Sequence, residues 1–257
     1  MKIADKIVVV TGAASGIGRA LAQRFAKEGA KRVVCADING EGAKATADEV
    51  GGRAFVTDVS KQADIQRLIE TVEAEEGPID LFCSNAGIGY GGGAEVSDER
   101  WQRIWDINVM AHVWAARHLV PRMTARGGGY LLNTASAAGL LSQVGSAPYA
   151  VTKHAAVALA EWLSITHGDA GIKVSVLCPQ AVRTAMTAGN PDGVASVDGM
   201  IEPEDAAEAC LRAIDAETFL VLPHPQVLEY MRRKTADYDR WLGGMRKLNR
   251  RYGERAL

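Results

Sequence analysis

Short apolar runs recur along the chain, and most are followed by a turn and then by a stretch with helical periodicity. The first run, at residues 7–10, is continuous, which is typical of a strand buried on both faces of a sheet. Ile65, Leu68, Ile69 and Val72 repeat at the spacing that places side chains on one face of a helix. Further strands are predicted at residues 32–37, 54–57, 79–83, 130–134 and 174–178. This alternation predicts an α/β fold, a doubly wound parallel sheet with right-handed crossovers and helices on both faces.

Glycine and polar residues follow the predicted strands at their carboxyl ends. In an open parallel sheet these ends lie at one edge, and ligands bind in the crevice outside them. The residues that fall at this edge are Gly12, Asp37, Asp58, Asn85, Ser136 and Pro179. The sequence therefore predicts one binding site assembled from most of the length of the chain.

The first strand leads into a glycine-rich loop, Thr-Gly-Ala-Ala-Ser-Gly-Ile-Gly at residues 11–18, and a helical stretch follows. Glycines let the backbone approach a pyrophosphate, which then sits at the positive end of the helix. Glycines also make tight strand-to-helix turns in proteins that bind nothing. The order of strand, loop and helix favours a dinucleotide site here.

The second predicted strand ends at Asp37, about twenty residues beyond the last glycine of the loop. A carboxylate at this distance accepts hydrogen bonds from the hydroxyls of an adenosine ribose and repels a 2′-phosphate. Ser15 and Ile38 add no compensating positive charge. We therefore expect NAD to be preferred over NADP. The alternative is that Asp37 caps the helix that begins near Gly40.

A second group of residues suits acid–base chemistry. Residues from Ala150 onward are predicted to be helical, so Tyr149 and Lys153 lie one turn apart on one face. A free phenol titrates near pH ~10, and a neighbouring positive charge lowers its pKa. Ser136 then suits a hydrogen bond to the oxygen whose proton Tyr149 takes or gives. The same Tyr-x-x-x-Lys spacing recurs at Tyr230 and Lys234, where we expect a solvated helix face without chemistry.

A long amphipathic helix is predicted at residues 101–114, and Asn108 interrupts its apolar side. A buried amide needs hydrogen-bond partners. Two sources of these partners are possible. One is the backbone at a local kink of the helix, and the other is water that leads to a site.

Composition and charge exclude several classes of protein. The chain has 257 residues, a net charge of −2 and a pI of about 6.2, which does not suggest binding to nucleic acid or to a membrane surface. No apolar run approaches the ~20 residues of a membrane-spanning helix, and no signal sequence is evident. The length fits one large α/β domain or two small ones.

The cysteines and histidines show no pattern of metal ligation or disulfide formation. The four cysteines lack a C-x-x-C spacing, and we expect buried free thiols in a reducing compartment, the cytoplasm. The five histidines show no close pairing, so no metal site is predicted.

With these motifs assembled, the chain resembles the short-chain dehydrogenase/reductase family over about residues 5–215. The resemblance rests on the glycine loop at 11–18, the pair Asp58 and Val59, the segment 85–87, and then Asn108, Ser136, Tyr149 and Lys153, all in family order. It implies a single Rossmann-type domain over residues 1–257. A helical C-terminal extension at about 225–257 is atypical of the family.

The resemblance implies that Asn108, Ser136, Tyr149 and Lys153 form the catalytic tetrad. Tyr149 is the expected acid and base, Ser136 polarises the substrate oxygen, and Lys153 lowers the pKa of Tyr149 while holding the nicotinamide ribose. Asn108 anchors a water that connects Lys153 to solvent. The residues expected to bind the cofactor are Gly12, Ser15, Gly16, Ile17, Gly18, Asp37, Asp58, Val59, Asn85, Ala86, Gly87, Tyr149, Lys153, Pro179, Val182 and Thr184.

The implied reaction is a hydride transfer between nicotinamide and a secondary alcohol or ketone. Family position suggests that the substrate contacts Ile88, Tyr90, Leu140, Leu141, Gln143, Val144 and Met186. These residues are mostly apolar and include no cation, which favours a substrate with an apolar body. A competing hypothesis is a non-catalytic dinucleotide-binding sensor or interaction protein on the same fold.

Two departures from the family pattern stand near the C-terminus. Gln180 follows Pro179 where the family usually has glycine, and the glycine-rich C-terminal strand of the family is missing, with residues 219–225 and an arginine-rich tail in its place. A homodimer or homotetramer is expected, paired through the alanine-rich helix after Tyr149, and the missing strand weakens the case for a tetramer. The tail is expected either to pack on its own domain or a partner subunit, or to cover the substrate.

Overall fold

The computed structural model describes residues 1–253 and contains one parallel sheet of seven strands. The strands lie in the order β3-β2-β1-β4-β5-β6-β7, which confirms the predicted doubly wound sheet. Each of the six predicted strands is present, with ends shifted by at most two residues. The strands are β1 Ile7–Thr11, β2 Arg32–Asp37, β3 Arg53–Val56, β4 Leu81–Ser84, β5 Gly129–Thr134, β6 Ile172–Leu177 and β7 Leu220–Val221.

Helices cover both faces of the sheet. They are α1 Gly16–Lys27, α2 Gly40–Val50, α3 Gln62–Glu75, α4 Asp98–Trp105, α5 Ala111–Ala125, α6 Ala138–Leu141, α7 Ala147–His167, α8 Ala185–Ala188, α9 Pro203–Ala216, α10 Gln226–Ala236 and α11 Tyr238–Tyr252. The apolar faces of α3, α5 and α7 pack on one side of the sheet, and those of α1 and α9 pack on the other. The central strand β1 is buried along its whole length, as its continuous apolar run predicts.

A seventh strand stands where the family's glycine-rich segment is missing. Leu220 and Val221 pair in parallel with Val176 and Leu177 of β6. The strand stops after two residues because Pro223 lacks the N–H group that a longer ladder requires. The sheet therefore keeps its full width without the glycines.

The tail helix α10 packs against α6, and this contact corrects one prediction. Tyr230 and Lys234 do not form a solvated face: both are half-buried, and the Tyr230 hydroxyl donates to Asp198 Oδ1 at 2.9 Å. Lys234 Nζ donates to the carbonyl of Leu140 at 2.7 Å. Lys234 thus ties the tail to α6, and Tyr230 ties it to the segment between α8 and α9.

Residues 1–253 contain no helix long and apolar enough to cross a membrane. The same residues contain no cluster of three or more side chains suited to bind a metal ion. All four cysteines are free and buried, as their spacing predicts.

Candidate active site

The glycine loop between β1 and α1 packs so tightly at Gly12 and Gly18 that a side chain at either position would not fit. Gly12 has a φ of +68°, and a Cβ there would lie 2.9 Å from Ala86 Cα. A Cβ on Gly18 would lie 2.0 Å from the carbonyl oxygen of Gly12. Ser15, the residue before α1, makes no capping hydrogen bond with its side chain. The loop thus brings bare backbone to the positive end of a helix, which fits a pyrophosphate.

Thr11 holds this loop against the end of β4. Its hydroxyl donates to the carbonyl of Cys83 at 3.2 Å and accepts from the backbone N–H of Asn85 at 2.9 Å. The Asn85 amide in turn donates to the Thr11 carbonyl, and its oxygen accepts from Thr134. The sequence analysis assigned no role to Thr11 or Thr134. Both are the last residues of buried strands, β1 and β5, and a hydroxyl at such a position could have indicated the role.

Asp37 lies at the edge of the same loop. Its Oδ2 accepts from the backbone N–H of Ala14 at 3.0 Å, and its Oδ1 accepts from the N–H of Asn39 at 2.9 Å. The residue that caps α2 is Asn39, whose Oδ1 accepts from Gly42, so the capping alternative for Asp37 is wrong. Each carboxylate oxygen keeps a lone pair that can accept from a hydroxyl.

A cleft of about 410 Å³ runs along this edge of the sheet, and we call it the glycine-loop cleft. Every residue that the sequence analysis expects to bind the cofactor lines it, from Gly12 to Thr184. Ser136 lines it as well. Arg103 and Ile107 also line the cleft, although no sequence signal pointed to them. The bare glycine backbone and the available acceptors of Asp37 fit a dinucleotide in this cleft.

Asn108 lies in a π-helical segment, Asp106–Met110, that separates α4 from α5. Its Oδ1 accepts from the backbone N–H of Ile88 at 2.9 Å, and its Nδ2 donates to the Ile88 carbonyl at 2.9 Å and to Thr152 Oγ1 at 3.3 Å. The observed partners of this buried amide are therefore the backbone of another segment and the hydroxyl of Thr152. Single π turns of this kind are frequent at functional sites.

Tyr149 and Lys153 lie one turn apart near the start of α7, with Pro148 in the first turn of that helix. Lys153 is only 3% exposed, and its Nζ donates to the carbonyl of Thr134 at 3.0 Å. The same Nζ lies 5.6 Å from the centre of the Tyr149 ring. Both side chains therefore face the carboxyl end of β5, and Ser136 lies two residues beyond that end.

Ser136 is held between β5 and α6. Its hydroxyl donates to the carbonyl of Pro179 at 3.4 Å and accepts from the backbone N–H of Ala138 at 3.1 Å. Together with Tyr149 and Lys153 it lines the glycine-loop cleft. The segment between Ser136 and α7 thus brings Ser136 close to Tyr149 and Lys153, which follow it by 13 and 17 residues.

Burial shifts the pKa values of this group. It raises the pKa of Tyr149 above its ordinary value, and the nearby Ser136 hydroxyl opposes that rise. It lowers the pKa of Lys153 to about 8. The pKa of Tyr149 is therefore raised in the protein alone and not lowered as expected, because the phenolate loses its solvation in the buried site.

A second cavity, of about 700 Å³, adjoins Ser136, and we call it the C-terminal cavity. Its walls come from α6, residues 194–198 and the tail helices α10 and α11. Trp241, Met245 and Leu248 of α11 line it, so the apolar face of the tail covers a space next to Ser136. The tail packs on its own domain, as one of its expected roles requires, since Trp241 contacts the apolar cluster of Ala137, Leu141 and Val227. Its role as a cover over the substrate stays a prediction.

The predicted substrate residues divide between several places. Ile88, Gln143 and Met186 line the glycine-loop cleft, and Leu141 and Gln143 line the C-terminal cavity. Val144 lies at a separate surface depression. The substrate contacts of all seven residues stay predictions.

Tyr90 and Leu140, which are also predicted to contact the substrate, line neither the glycine-loop cleft nor the C-terminal cavity. Tyr90 lines neither cavity, because its ring lies against the Arg100 guanidinium and its carbonyl accepts from Ser146. Leu140 packs under α10 in a small apolar cluster. Arg233 and Arg240 of the tail line the C-terminal cavity, and no family position pointed to them.

Comparisons with known proteins agree with this geometry. The family model described as short chain dehydrogenase matches residues 6–194. The chain is 39% identical over 230 residues to 1-deoxy-11-beta-hydroxypentalenate dehydrogenase of Streptomyces exfoliatus, covering 85% of this chain and 83% of that protein. It is 33% identical over 232 residues to meso-2,3-butanediol dehydrogenase of Serratia marcescens, covering 86% and 92%.

Solved structures give the same result. A short-chain dehydrogenase/reductase of Burkholderia phymatum in complex with NAD superposes with a TM-score of 0.85 at 30% identity, covering 93% of this chain and 96% of that one. The family model alone matches well over half of the chain. The chain belongs to the short-chain dehydrogenase family and is an oxidoreductase.

Proposed function

We propose that this protein transfers a hydride between NAD and a secondary alcohol or ketone with an apolar body. One observation carries the proposal: Ser136 lines both the glycine-loop cleft and the C-terminal cavity. The cleft fits a dinucleotide, and the adjoining cavity is walled mainly by apolar side chains. A substrate bound in the C-terminal cavity would thus contact the Ser136 hydroxyl, which also lines the glycine-loop cleft.

The protein's own residues hold and move the proton in this proposal. Tyr149 takes the proton of the substrate hydroxyl during oxidation and returns it during reduction. Ser136 donates a hydrogen bond to the same oxygen. Lys153, with a pKa of about 8, carries a positive charge at neutral pH and stabilises the phenolate as it forms. Asn108 Oδ1 keeps one lone pair for a water that links Lys153 to solvent.

The bound nicotinamide supplies the carbon that accepts or returns the hydride. Lys153 is positioned to hold the hydroxyls of the nicotinamide ribose, and Asp37 those of the adenosine ribose. The choice of NAD over NADP rests on the Asp37 carboxylate, since its charge opposes a 2′-phosphate.

Asp37→Asn is expected to reduce the preference for NAD over NADP by about tenfold or more, because the neutral amide no longer repels a 2′-phosphate. The ratio of kcat/KM for the two cofactors measures this change. Asp58→Asn serves as the control, since it neutralises another carboxylate of the same cleft whose Oδ1 is occupied by Ser60. An unchanged cofactor ratio in Asp37→Asn, or an equal change in both variants, would contradict the assignment.

The substrate class follows from the cavity. A volume of about 700 Å³ accommodates a body much larger than a small aliphatic alcohol, and the dehydrogenase from Streptomyces exfoliatus is named for a hydroxylated pentalenate. The experiment is NADH formation with a series of secondary alcohols from 2-butanol and cyclohexanol to sterols. Turnover of at least one bulky apolar alcohol is expected. Tight NAD binding without turnover of any alcohol would instead favour a dinucleotide sensor.

We also propose a homodimer formed through α7. An apolar stripe on its outer face includes Val151, Trp162 and Ile165, which are 47%, 55% and 83% exposed. The alanines of this helix divide between two surfaces: Ala156 and Ala160 are buried in the protein's own core, whereas Ala155 and Ala158 lie on the outer side. Large apolar side chains on one exposed helix face mark a contact surface.

Ile165→Glu is expected to convert the dimer to a monomer, because a charge in the middle of an apolar interface loses its solvation. Light scattering after size-exclusion chromatography measures the mass. Leu242→Glu, on the exposed side of α11, is the matched control and is expected to leave the dimer intact. Dissociation by Leu242→Glu alone would move the interface to the tail, and a monomeric wild type would refute the proposed dimer.

A further inference from the structure

The guanidinium of Arg240 is a cation without a partner on the wall of the C-terminal cavity. Arg240 lines this cavity and is exposed. Its backbone N–H donates to Asp237 Oδ1 at 3.0 Å, but its guanidinium forms no hydrogen bond, ion pair or ring contact with any residue between 1 and 253. A guanidinium presents five N–H donors in a planar fork that matches a carboxylate. A ligand in the cavity can therefore reach an open anion-binding group.

The other arginine of the cavity, Arg233, is already engaged. Its Nε donates to Glu229 Oε1 at 3.0 Å in an ion pair between residues one helical turn apart. Its guanidinium lies 5.9 Å from the centre of the Tyr230 ring. The charge of Arg233 is therefore balanced within α10. Of the two arginines that line the cavity, Arg240 is the one whose charge is available to a ligand.

Two carboxylates also line the cavity, and neither neutralises Arg240. Asp198 accepts at Oδ2 from Gln180 Nε2 and at Oδ1 from the Tyr230 hydroxyl, both at 2.9 Å, so neutral donors disperse its charge. Asp237 caps α11 and forms no ion pair with the Arg240 guanidinium. Both carboxylates repel an anion, and they repel a dianion such as a phosphate ester more than a monoanion. The charges around the cavity therefore favour a single carboxylate as the partner of Arg240.

Arg240 and Ser136 lie at different depths of the same cavity. Ser136 is only 8% exposed and also lines the glycine-loop cleft, whereas Arg240 is exposed. The wall also includes apolar side chains from α6, the segment 194–198 and α11, namely Leu141, Val194, Val197, Trp241, Met245 and Leu248. A substrate whose hydroxyl reaches Ser136 and whose body contacts this apolar wall can thus place an anionic end at the opening.

We propose that Arg240 binds a carboxylate of the substrate, at the end of an apolar body remote from the reacting hydroxyl. The favoured substrates are then hydroxy acids and the corresponding keto acids, in preference to neutral alcohols and ketones of the same shape. Arg240 determines specificity by this contact and takes no part in hydride or proton transfer. The inference rests on the proposed function and narrows its substrate class.

The test compares kcat/KM for hydroxy acids with the values for their methyl esters, which keep the body and remove the charge. The acids are medium-chain (ω−1)-hydroxy fatty acids and lithocholic acid, a hydroxysteroid with an acidic side chain. In the wild type, the best acid is expected to exceed its ester by about fivefold, which is the upper value for a solvent-exposed ion pair. The difference is expected mainly in KM, since the carboxylate is bound before and during the reaction. Added salt is expected to reduce the ratio, because ions screen exposed charges.

Arg240→Gln removes the charge and is expected to lower the acid-to-ester ratio about fivefold and to abolish its salt dependence. Arg246→Gln is the matched control, because it removes the same charge from an exposed position of α11 that does not line the cavity. It is expected to leave the ratio unchanged. Asp237→Asn is expected to raise the ratio, since asparagine still caps α11 but no longer repels an anion. This variant keeps the inference testable if Arg240→Gln does not fold.

Each contrary result has a distinct meaning. An unchanged acid-to-ester ratio in folded Arg240→Gln would overturn the inference. An equal fall in Arg246→Gln would assign the preference to the overall charge of the tail and would overturn it too. Wild-type protein that turns over neutral alcohols but prefers no acid to its ester would overturn the inference and leave the proposed function intact. Wild-type protein that turns over no alcohol of either series would overturn the proposed function and this inference with it.

Discussion

Tyr149→Phe is expected to lower kcat by about 10²–10⁴-fold, the range by which a positioned general acid or base accelerates proton transfer. The substitution removes one hydroxyl and leaves the ring that packs near Lys153 at the start of α7. Ser136 has no strong base beside it in the glycine-loop cleft once the phenol is gone, so it cannot take over the proton. The measurement is NADH formation under saturating NAD with the best alcohol of the series.

The NAD affinity of Tyr149→Phe is expected to stay within a few-fold of the wild-type value, since the remaining cleft is intact. Tyr130→Phe provides the matched control, because it also removes a buried tyrosine hydroxyl, one that bonds Ser175 in the core at 2.7 Å. That variant is expected to lose about 1 kcal/mol of stability and to keep its kcat. Tyr149→Phe with more than a tenth of the wild-type kcat would contradict the assigned role.

Gly18→Ala is expected to reduce NAD affinity at least 100-fold and to lower the free energy of unfolding by about 1–3 kcal/mol or more. The new Cβ would lie 2.0 Å from the Gly12 carbonyl oxygen, 2.6 Å from its carbon and 2.8 Å from Asn85 Nδ2. Two of these atoms are backbone and cannot rotate away. The loop must therefore open, and its backbone N–H groups then move away from the pyrophosphate.

Fluorescence titration with NAD and urea unfolding measure the two effects of Gly18→Ala separately. Gly168→Ala, beyond the end of α7, is the control: its φ is −58°, and a Cβ there meets no atom within 4 Å. It is expected to change neither quantity appreciably. NAD affinity in Gly18→Ala equal to that of Gly168→Ala would show that the loop does not contact the dinucleotide closely.

The two halves of the candidate site depend on different parts of the chain. The glycine-loop cleft lies at the carboxyl ends of β1 to β6, so its shape follows mainly from the sheet. The C-terminal cavity depends on α10 and α11, which reach Ser136 only because α10 packs on α6 through Val227 and Tyr230. Substitutions in the tail are therefore expected to act on the substrate and not on NAD.

The sequence by itself determined six of the seven strands, the glycine loop and the residues at the carboxyl ends of the strands. Continuous apolar runs identify strands buried on both faces, and glycines at fixed positions reflect backbone approaches that no side chain permits. Parallel strands bring their carboxyl ends to one edge, so Asp37, Asn85 and Ser136 were predicted to meet without knowledge of their contacts. These features depend on local pattern and on the topology that the pattern implies.

Only the tertiary structure decided what the tail and the buried polar groups do. Helical periodicity identifies the apolar face of α11 but not the surface it covers, and that surface is a cavity beside Ser136. Asn108 bonds Ile88 and Thr152, and Tyr230 bonds Asp198, and these partners lie in other segments of the chain. The pKa of Tyr149 depends on burial, which a spacing of four residues does not reveal. Contacts between distant segments arise from packing, and packing is not encoded in any short stretch of sequence.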